Sequence, residues 1–293
     1  MLFDEATLRK LNAMTLSSGR VRAGRMRGDR RSSKRGASIE FADYRNYTPG
    51  DDLRRLDWNV YARHNRPFIK LFEEEEDLAV HLLLDGSTSM NWGEGGQHKF
   101  DQARRIAAAL GSIALAAGDQ LKFNLLAPKG VAAPFGPARG SHQTIRFFSH
   151  LEAITPSGSP AVNSSLLNYS LTGARPGLLI LISDLLDPDG CETGLTRLLS
   201  RGHEIVLIHL LHSTELAPVL DGDLKLIDAE FGYTQDVTVD QGSLAAYERQ
   251  LKLWLGKLRQ FCVARSIHYS QHTTSRAWDQ YVLLNLRAEG VVK

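Results

Sequence analysis

Cysteine is all but missing from this chain: Cys191 and Cys262 stand far apart, with neither a CxxC pair nor a disulfide framework. They read as small space-filling side chains. Long apolar runs are missing too. None approaches the roughly 18 residues of a membrane-spanning helix, and the opening MLFDEATLRKLNAM lacks the basic start, apolar middle and small-residue cleavage site of a signal peptide. A cytoplasmic protein with no membrane span is the expectation. There is no GxxxxGKS/T phosphate loop, no GxSxG nucleophile elbow and no GxGxxG opening a helix after a strand. Two histidine pairs, His268 with His272 and His209 with His212, have spacings that converge on a helix. Both fall in segments that read as strands, where those spacings diverge, and neither has a Cys ligand or an HExxH glutamate beside it. No transition-metal site is expected.

What is present suits a globular protein with a sizeable core. The apolar fraction is 43% and the charged fraction 23% over 293 residues, enough for about two average domains or one large domain with an appendage. The net charge of +2 conceals an asymmetry: residues 1–75 hold 16 Lys and Arg against 11 Asp and Glu, and the remainder holds 19 against 22. The excess sits in SSGRVRAGRMRGDRRSSKRG, where only Asp29 opposes the basic residues Arg20, Arg22, Arg25, Arg27, Arg30, Arg31, Lys34 and Arg35. Clustered arginines bind phosphates by charge. This arm, however, has no aromatics for stacking on bases and no recognisable reading module. It is read as a solvated arm or a contact for an acidic partner, ahead of nucleic-acid binding.

The richest chemistry lies in HLLLDGSTSM, residues 81–90. The apolar run from Leu78 to Leu84 lacks alternation, as a parallel strand covered on both faces does. It ends in Asp85, turns through Gly86 and presents Ser87 and Ser89 before a helical segment opens near His98. A carboxylate with two hydroxyls at alternate positions is a hard-oxygen set, suited to Mg2+ or Mn2+ and ill suited to zinc or copper. Turn and cap residues of the same types are the alternative. The element resembles the DxSxS sequence of the metal-ion-dependent adhesion site in von Willebrand factor A domains. That resemblance implies a Rossmann-like α/β fold and an ion completed by a partner's acidic residue. It also implies a threonine on a second loop and an aspartate after a later strand. Asp184, just beyond the apolar run Leu178 to Ile182, matches the aspartate; Ser159 in PSGSPAVNSSL takes the threonine's place, with Thr155 as the fallback.

A second constellation precedes it, in IEFADYRNYTPGDDLRRLDWNVYARHNRPFIKLFEEEE. Pro49 and Gly50 suit a type II turn, and Asp51 or Asp52 a helix cap. Acids and arginines interleaved with Phe41, Tyr47, Leu56 and Trp58 suggest a fixed network of charge pairs over an aromatic base. A metal nuclease built on Glu40, Asp51, Asp52 and Asp57 is the enzymatic alternative; a neighbouring arginine for each acid favours pairing. The run Glu73 to Asp77 reads as a solvated edge or turn. The segment resembles the signature of the domain of unknown function 58 family, E-F-x-x-x-R-x-Y-x-x-G-D-D-x-R-x-x-D-W-x-x-x-A-R. It supplies Glu40, Phe41, Arg45, Tyr47, Gly50, Asp51, Asp52, Arg54, Asp57, Trp58, Ala62 and Arg63. The resemblance covers nearly the whole chain from about Gly36. It implies a von Willebrand type domain directly behind the signature and, as partner, a MoxR-type AAA+ ATPase with which such proteins assemble or remodel others.

The rest alternates. Residues 3–16 read as a short amphipathic helix packing on the main domain, and residues 98–117 as a helix with Phe100, Ala103, Ala107, Leu110, Ala114 and Ala117 on one face. The stretch QLKFNLLA reads as a strand with a shorter companion near Val131 to Phe135. Helices follow at 141–153, 162–171 and 191–200, and a buried strand in HEIVLIHLL. A hairpin is expected over Leu224 to Val239, bending near Phe231 to Tyr233. Then come a long helix with Leu244, Tyr247, Leu251, Leu255, Leu258 and Cys262 on one stripe, a strand over Ile267 to His272 and a final helix over Trp278 to Glu289. The expected fold is α/β, a doubly wound, mostly parallel sheet with an N-terminal extension and a C-terminal hairpin plus helix. The division is 1–35 as N-terminal helix and basic arm, 36–77 as signature segment and 78–293 as the von Willebrand factor A-like domain.

The functional expectation is a non-catalytic, divalent-metal-dependent protein-binding module. A magnesium-dependent phosphohydrolase is the enzymatic alternative. Its nearest lookalike, an aspartyl phosphatase loop, places a second Asp where this chain has Ser87, which disfavours attack by Asp85. The third reading is a nucleic-acid-associated protein using Arg20 to Arg35.

Overall fold

The computed structural model describes residues 2–18, 39–49, 51–74, 78–128, 130–159, 161–228 and 232–293. The basic arm, Gly50, residues 75–77, Phe231 and the side chains of Glu40 and Phe41 lie outside that description, together with the expectations placed on them. Two compact units are present: Ser18–Asp77, and Met1–Ser17 together with Leu78–Lys293.

In the larger unit six strands form one sheet: β3 (Ala79–Asp85), β4 (Gln120–Ala127), β5 (Gly130–Ala138), β6 (Leu178–Ser183), β7 (Glu204–Leu211) and β10 (His268–Thr273). Their spatial order is β10-β7-β6-β3-β4-β5. All neighbours run parallel except β5, which returns antiparallel to β4 along one edge. Burial of every β3 residue follows from its place beside both β4 and β6. Leu83, Leu179, Leu181, Ile205 and Leu207 face a core built with Val162, Leu166, Leu195, Leu198, Leu258 and Cys262, from the helices Val162–Leu171, Glu192–Ser200 and Gln241–Ala264. Strand alternation sends Leu82, Leu84, Ile180, Ile182, Val206 and Ile208, all buried, to the opposite face. There the helix Lys99–Ala116 packs against β3, β4, β6 and β7. Helices therefore flank a mostly parallel sheet.

The two chain ends are laced together within this unit. The helix Glu5–Asn12 is capped by Asp4, whose side chain accepts from Thr7 N at 2.8 Å, and Phe3 stacks on Trp278 with ring centroids 4.6 Å apart. Thr15 and Lys293 exchange both backbone hydrogen bonds.

Three expectations need correction. The companion of β4 is a nine-residue strand, Gly130–Ala138, because a solvent-side edge tolerates Pro134 and Pro137, which a central strand would exclude. The last helix is not uniform: Trp278–Gln280 gives way to a π-helical turn over Tyr281–Asn285 before Leu286–Ala288. Tyr281 and Val282, the first two residues of that turn, are both fully buried. On the long helix only Leu258 and Cys262 of the expected stripe are buried, and Tyr247 is exposed. The hairpin is present as β8 (Gly222–Ile227) and β9 (Thr234–Val239), a separate antiparallel pair.

In the smaller unit, β1 (Ile39–Asn46) pairs antiparallel with β2 (Phe68–Glu74). Between them lie a 3-10 turn, Leu53–Arg55, and the helix Trp58–His64, which ends where Asn65 takes a left-handed φ of 49°.

Candidate metal centre at the head of the central sheet

The sheet order fixes where a ligand fits. After β3 the chain winds toward β4, and after β6 it winds the other way, toward β7. The loops leaving the carboxyl ends of β3 and β6 thus diverge and leave the crevice in which open α/β sheets bind ligands. Asp85 is the last residue of β3, and Asp184 follows the last residue of β6.

Asp85 is almost fully buried. Its Oδ1 accepts from Ser87 N at 2.9 Å, and its Oδ2 accepts from Ser183 Oγ at 2.5 Å across the β3/β6 seam. Ser183 Oγ accepts in turn from Leu185 N at 2.9 Å. The Ser87 and Ser89 hydroxyls are 2.9 Å apart, Ser87 buried and Ser89 half-buried. The loop carrying Ser159 is tied to this one by backbone. Gly158 O accepts from both Thr88 N and Thr88 Oγ1 at 2.9 Å, and Ser157 N donates to Gly86 O at 2.7 Å. Ser159, half-buried, directly follows the tied Gly158; Thr155 is exposed. A side chain at Gly86 would meet Leu125 Cγ at 2.8 Å and Leu126 O at 2.9 Å, so the loop's close approach to β4 requires glycine.

Asp184 is equally buried. Its Oδ1 accepts from Leu186 N at 3.2 Å, and its backbone carbonyl accepts from His209 Nε2 at 2.9 Å. With that nitrogen donating, His209 Nδ1 accepts from Tyr269 OH at 2.8 Å. Burial pushes the His209 pKa down to about 4 and keeps the ring neutral. Between Asp184 and Leu186 the backbone of Leu185 is left-handed, φ 57°, a conformation that costs about 1 kcal/mol for a residue with a side chain.

Sequence reasoning missed the residue that dominates the electrostatics. Lys99, the first residue of its helix, is wholly buried and donates to Asp184 Oδ2 at 2.7 Å and to Glu215 Oε1 at 2.6 Å. Burial alone would lower its pKa; Asp184 and Glu215 outweigh that and hold the ammonium above its ordinary value. Glu215 is itself fixed, its Oε2 accepting from His212 N at 2.6 Å in a capping box. Among the described residues Asp85 has no such cation as a hydrogen-bond partner. Burial first, and the charge of Asp184 second, raise its pKa to about 6 against the opposing bonds from Ser183 and Ser87. Asp184 and Glu215 thus share one ammonium, and Asp85 beside them has none. This negative excess beside two hydroxyls suits a hard divalent cation. Among the described residues no group of three or more His, Cys, Asp or Glu forms a ready cage, so an ion here would rely on hydroxyls, water and an outside ligand.

In the signature segment one expected Arg and carboxylate pair, Arg45 with Asp51, is present, and Asp52 and Asp57 cap helical turns. Asp51 accepts from both Thr48 N and Thr48 Oγ1 at 2.8 Å and from Arg45 Nη2 at 2.7 Å; the Thr48 bonds first, and Arg45 after them, lower its pKa to about 2. Asp52 caps the 3-10 turn through Arg54 N at 3.0 Å. Buried Asp57 caps the helix Trp58–His64 through Asn59 N at 2.9 Å and Val60 N at 3.1 Å, and accepts from Tyr44 OH at 2.9 Å. Two of the three acids are therefore helix caps, because each stands immediately before a helical turn whose N–H groups need acceptors. Trp58 is 61% exposed and meets Tyr61 edge-on, so it is surface and not base. Arg54 and Arg63 are exposed, and Tyr47 is half-buried. The four histidines of the suspicious pairs go separate ways: His268 pairs with Glu289, His272 bonds Gln102, His209 holds Asp184 and His212 caps Ser213–Leu216.

The fold and site together define an α/β protein with a carboxylate and hydroxyl cluster at the switch point of its central sheet. Residues 43–252 match the family described as "Protein of unknown function DUF58", and the chain belongs to that family. Uncharacterized proteins of Mycobacterium bovis and Mycobacterium tuberculosis are 30% identical over 221 residues, covering 74% of this chain and 69% of each relative. Among solved structures, the conserved hypothetical protein BatB of Bacteroides thetaiotaomicron aligns with TM-score 0.43 and 11% identity, over 72% of this chain and 98% of that one. An aerotolerance-related membrane protein from Bacteroides fragilis aligns with TM-score 0.40 and 13% identity, over the same shares. No described helix of the present chain is long and apolar enough to cross a membrane.

Proposed function

We propose that this protein is a non-catalytic, divalent-metal-dependent protein-binding module with a von Willebrand factor A-like core. Mg2+ or Mn2+ is held near Asp85, Ser87, Ser89, Ser159 and Asp184, and an Asp or Glu of a partner protein completes the ion. One observation carries the reading: two buried carboxylates end neighbouring strands at the switch point, with the paired Ser87 and Ser89 hydroxyls beside them and only Asp184 neutralised by a lysine. A bound divalent ion supplies a Lewis-acidic position for an incoming carboxylate. The chain's own residues prepare that position. Ser183 and the Ser87 amide orient Asp85, the Gly158 carbonyl holds the Ser159 loop against the first, and His209 anchors the Asp184 backbone. Ser159 is preferred to Thr155 because it adjoins the tied Gly158. Family membership supports a MoxR-type AAA+ ATPase as the partner, acting with this protein in assembling or remodelling others, in the cytoplasm.

The test has two parts. Metal-stripped wild-type protein should gain thermal stability with Mg2+ or Mn2+, and Asp85→Ala should not. Affinity capture from native extract should retain a partner only for wild type in magnesium, and lose it in chelator or with Asp85→Ala. Identical retention under all four conditions would remove the metal loop as the interface. Turnover of a generic phosphate ester, abolished by Asp85→Asn, would instead make the protein a hydrolase.

A further inference from the structure

We infer that Lys99 is a built-in counter-cation of this centre, competing with the divalent ion for Asp184 and setting how tightly that ion is held. The inference rests on the metal-binding reading above and goes beyond it by assigning a role to a residue outside the ligand set.

Lysine is almost never fully buried unless paired, and Lys99 is buried with two carboxylate partners on different loops. Asp184 follows β6; Glu215 stands in the short helix Ser213–Leu216 after β7. The ammonium therefore has two resting places. When Asp184 turns its charge toward an ion, Glu215 still satisfies Lys99, and the helix Lys99–Ala116 need not shift. Glu215 is suited to this: its second oxygen is fixed by His212 N, and it is partly open to solvent, where Asp184 is not. The second consequence is repulsive. A unit positive charge 2.7 Å from an Asp184 oxygen stands within a few ångströms of any cation sharing that carboxylate, a separation at which like charges repel strongly even under protein screening. Lys99 would thus keep the ion-free centre from carrying three unneutralised carboxylates, while weakening the ion it replaces. Two alternatives to Lys99 are purely structural: a salt bridge that only fastens the helix, or a spectator whose charge the ion does not sense.

Calorimetric titration of full-length, chelator-stripped protein with MnCl2 and MgCl2 separates these roles. Lys99→Met removes the charge at similar length and should bind metal at least about tenfold more tightly. Lys99→Arg, which keeps the charge, should stay near wild type. Glu215→Gln removes the second resting place, concentrates the ammonium on Asp184 and should bind more weakly. Equal or weaker binding by Lys99→Met, with wild type binding normally, overturns the inference and leaves the metal centre standing. If Lys99→Met does not fold, Glu215→Gln decides, and unchanged affinity there overturns it. Absence of binding by wild type and every variant removes the centre itself, and the counter-cation with it.

Discussion

His81 sits in the middle of β3 with both ring nitrogens engaged, by Tyr169 OH at 2.7 Å and Arg175 O at 2.9 Å, and its ring packs edge-on against His203. Burial first, and the neighbouring His203 second, push its pKa down from 6.5 to about 4. Above the higher value the ring is neutral whether the chain is folded or not. Between the two values the unfolded chain takes the proton and the folded one does not, so stability is lost as pH falls through that window. The shift corresponds to about 3 kcal/mol. Urea midpoints should therefore drop on acidification, and His81→Gln should flatten part of that drop; parallel curves for the two proteins would contradict the assignment. At this scale the sequence is unevenly informative. Asp85 and Asp184 can be read as strand-end carboxylates because apolar runs lead directly into them. Lys99 cannot: a lysine opening a helix looks solvent-exposed until the tertiary fold brings Asp184 and Glu215 to it. Ser183 has no signal beyond its hydroxyl beside an aspartate, and its bond to Asp85 exists only through the β3/β6 register.

Among elements, the helix Lys99–Ala116 shows how close packing selects a residue against helix propensity. Gly111 is mid-helix, where alanine would normally gain about 1 kcal/mol. A Cβ there would lie 2.2 Å from Phe147 Cε1. Phe147 is itself fully buried, against Phe123 and Phe135, and cannot retreat. Overpacking of about 1–3 kcal/mol therefore wins, and Gly111→Ala should lower the melting temperature, whereas a rise would show that Phe147 has room to move. In the signature segment Asp57→Ala removes a helix cap together with the bond from Tyr44 OH, a loss of about 1–2 kcal/mol expected by chemical denaturation. Elements that carry strong local signals are recovered closely from sequence: the helix Val162–Leu171 and β6 agree to within a residue. The ends of β5 and the π turn do not, because pairing with β4 and burial of Tyr281 beside Ser270, with Tyr281 OH donating at 2.6 Å, override what the local residues favour.

For the whole molecule, the order of strands matters more than their number. Alternating strands and helices announce a mostly parallel sheet, yet nothing in the sequence states that β6 returns to lie against β3 on the side away from β4, and that return creates the crevice. Its consequence is kinetic. The bond from Ser183 to Asp85 closes a loop of 98 residues, and such long-range closure comes late in folding, after local helices and nearby strand pairs. An ion that needs both strand ends has nothing to bind in the unfolded chain or in an early intermediate. Saturating Mg2+ should then slow unfolding in stopped-flow experiments while leaving the refolding rate unchanged, as interactions absent from the transition state do. Acceleration of refolding by the ion would mean that the β3/β6 seam forms early, and that the proposed ion helps to build the sheet at whose switch point it would bind.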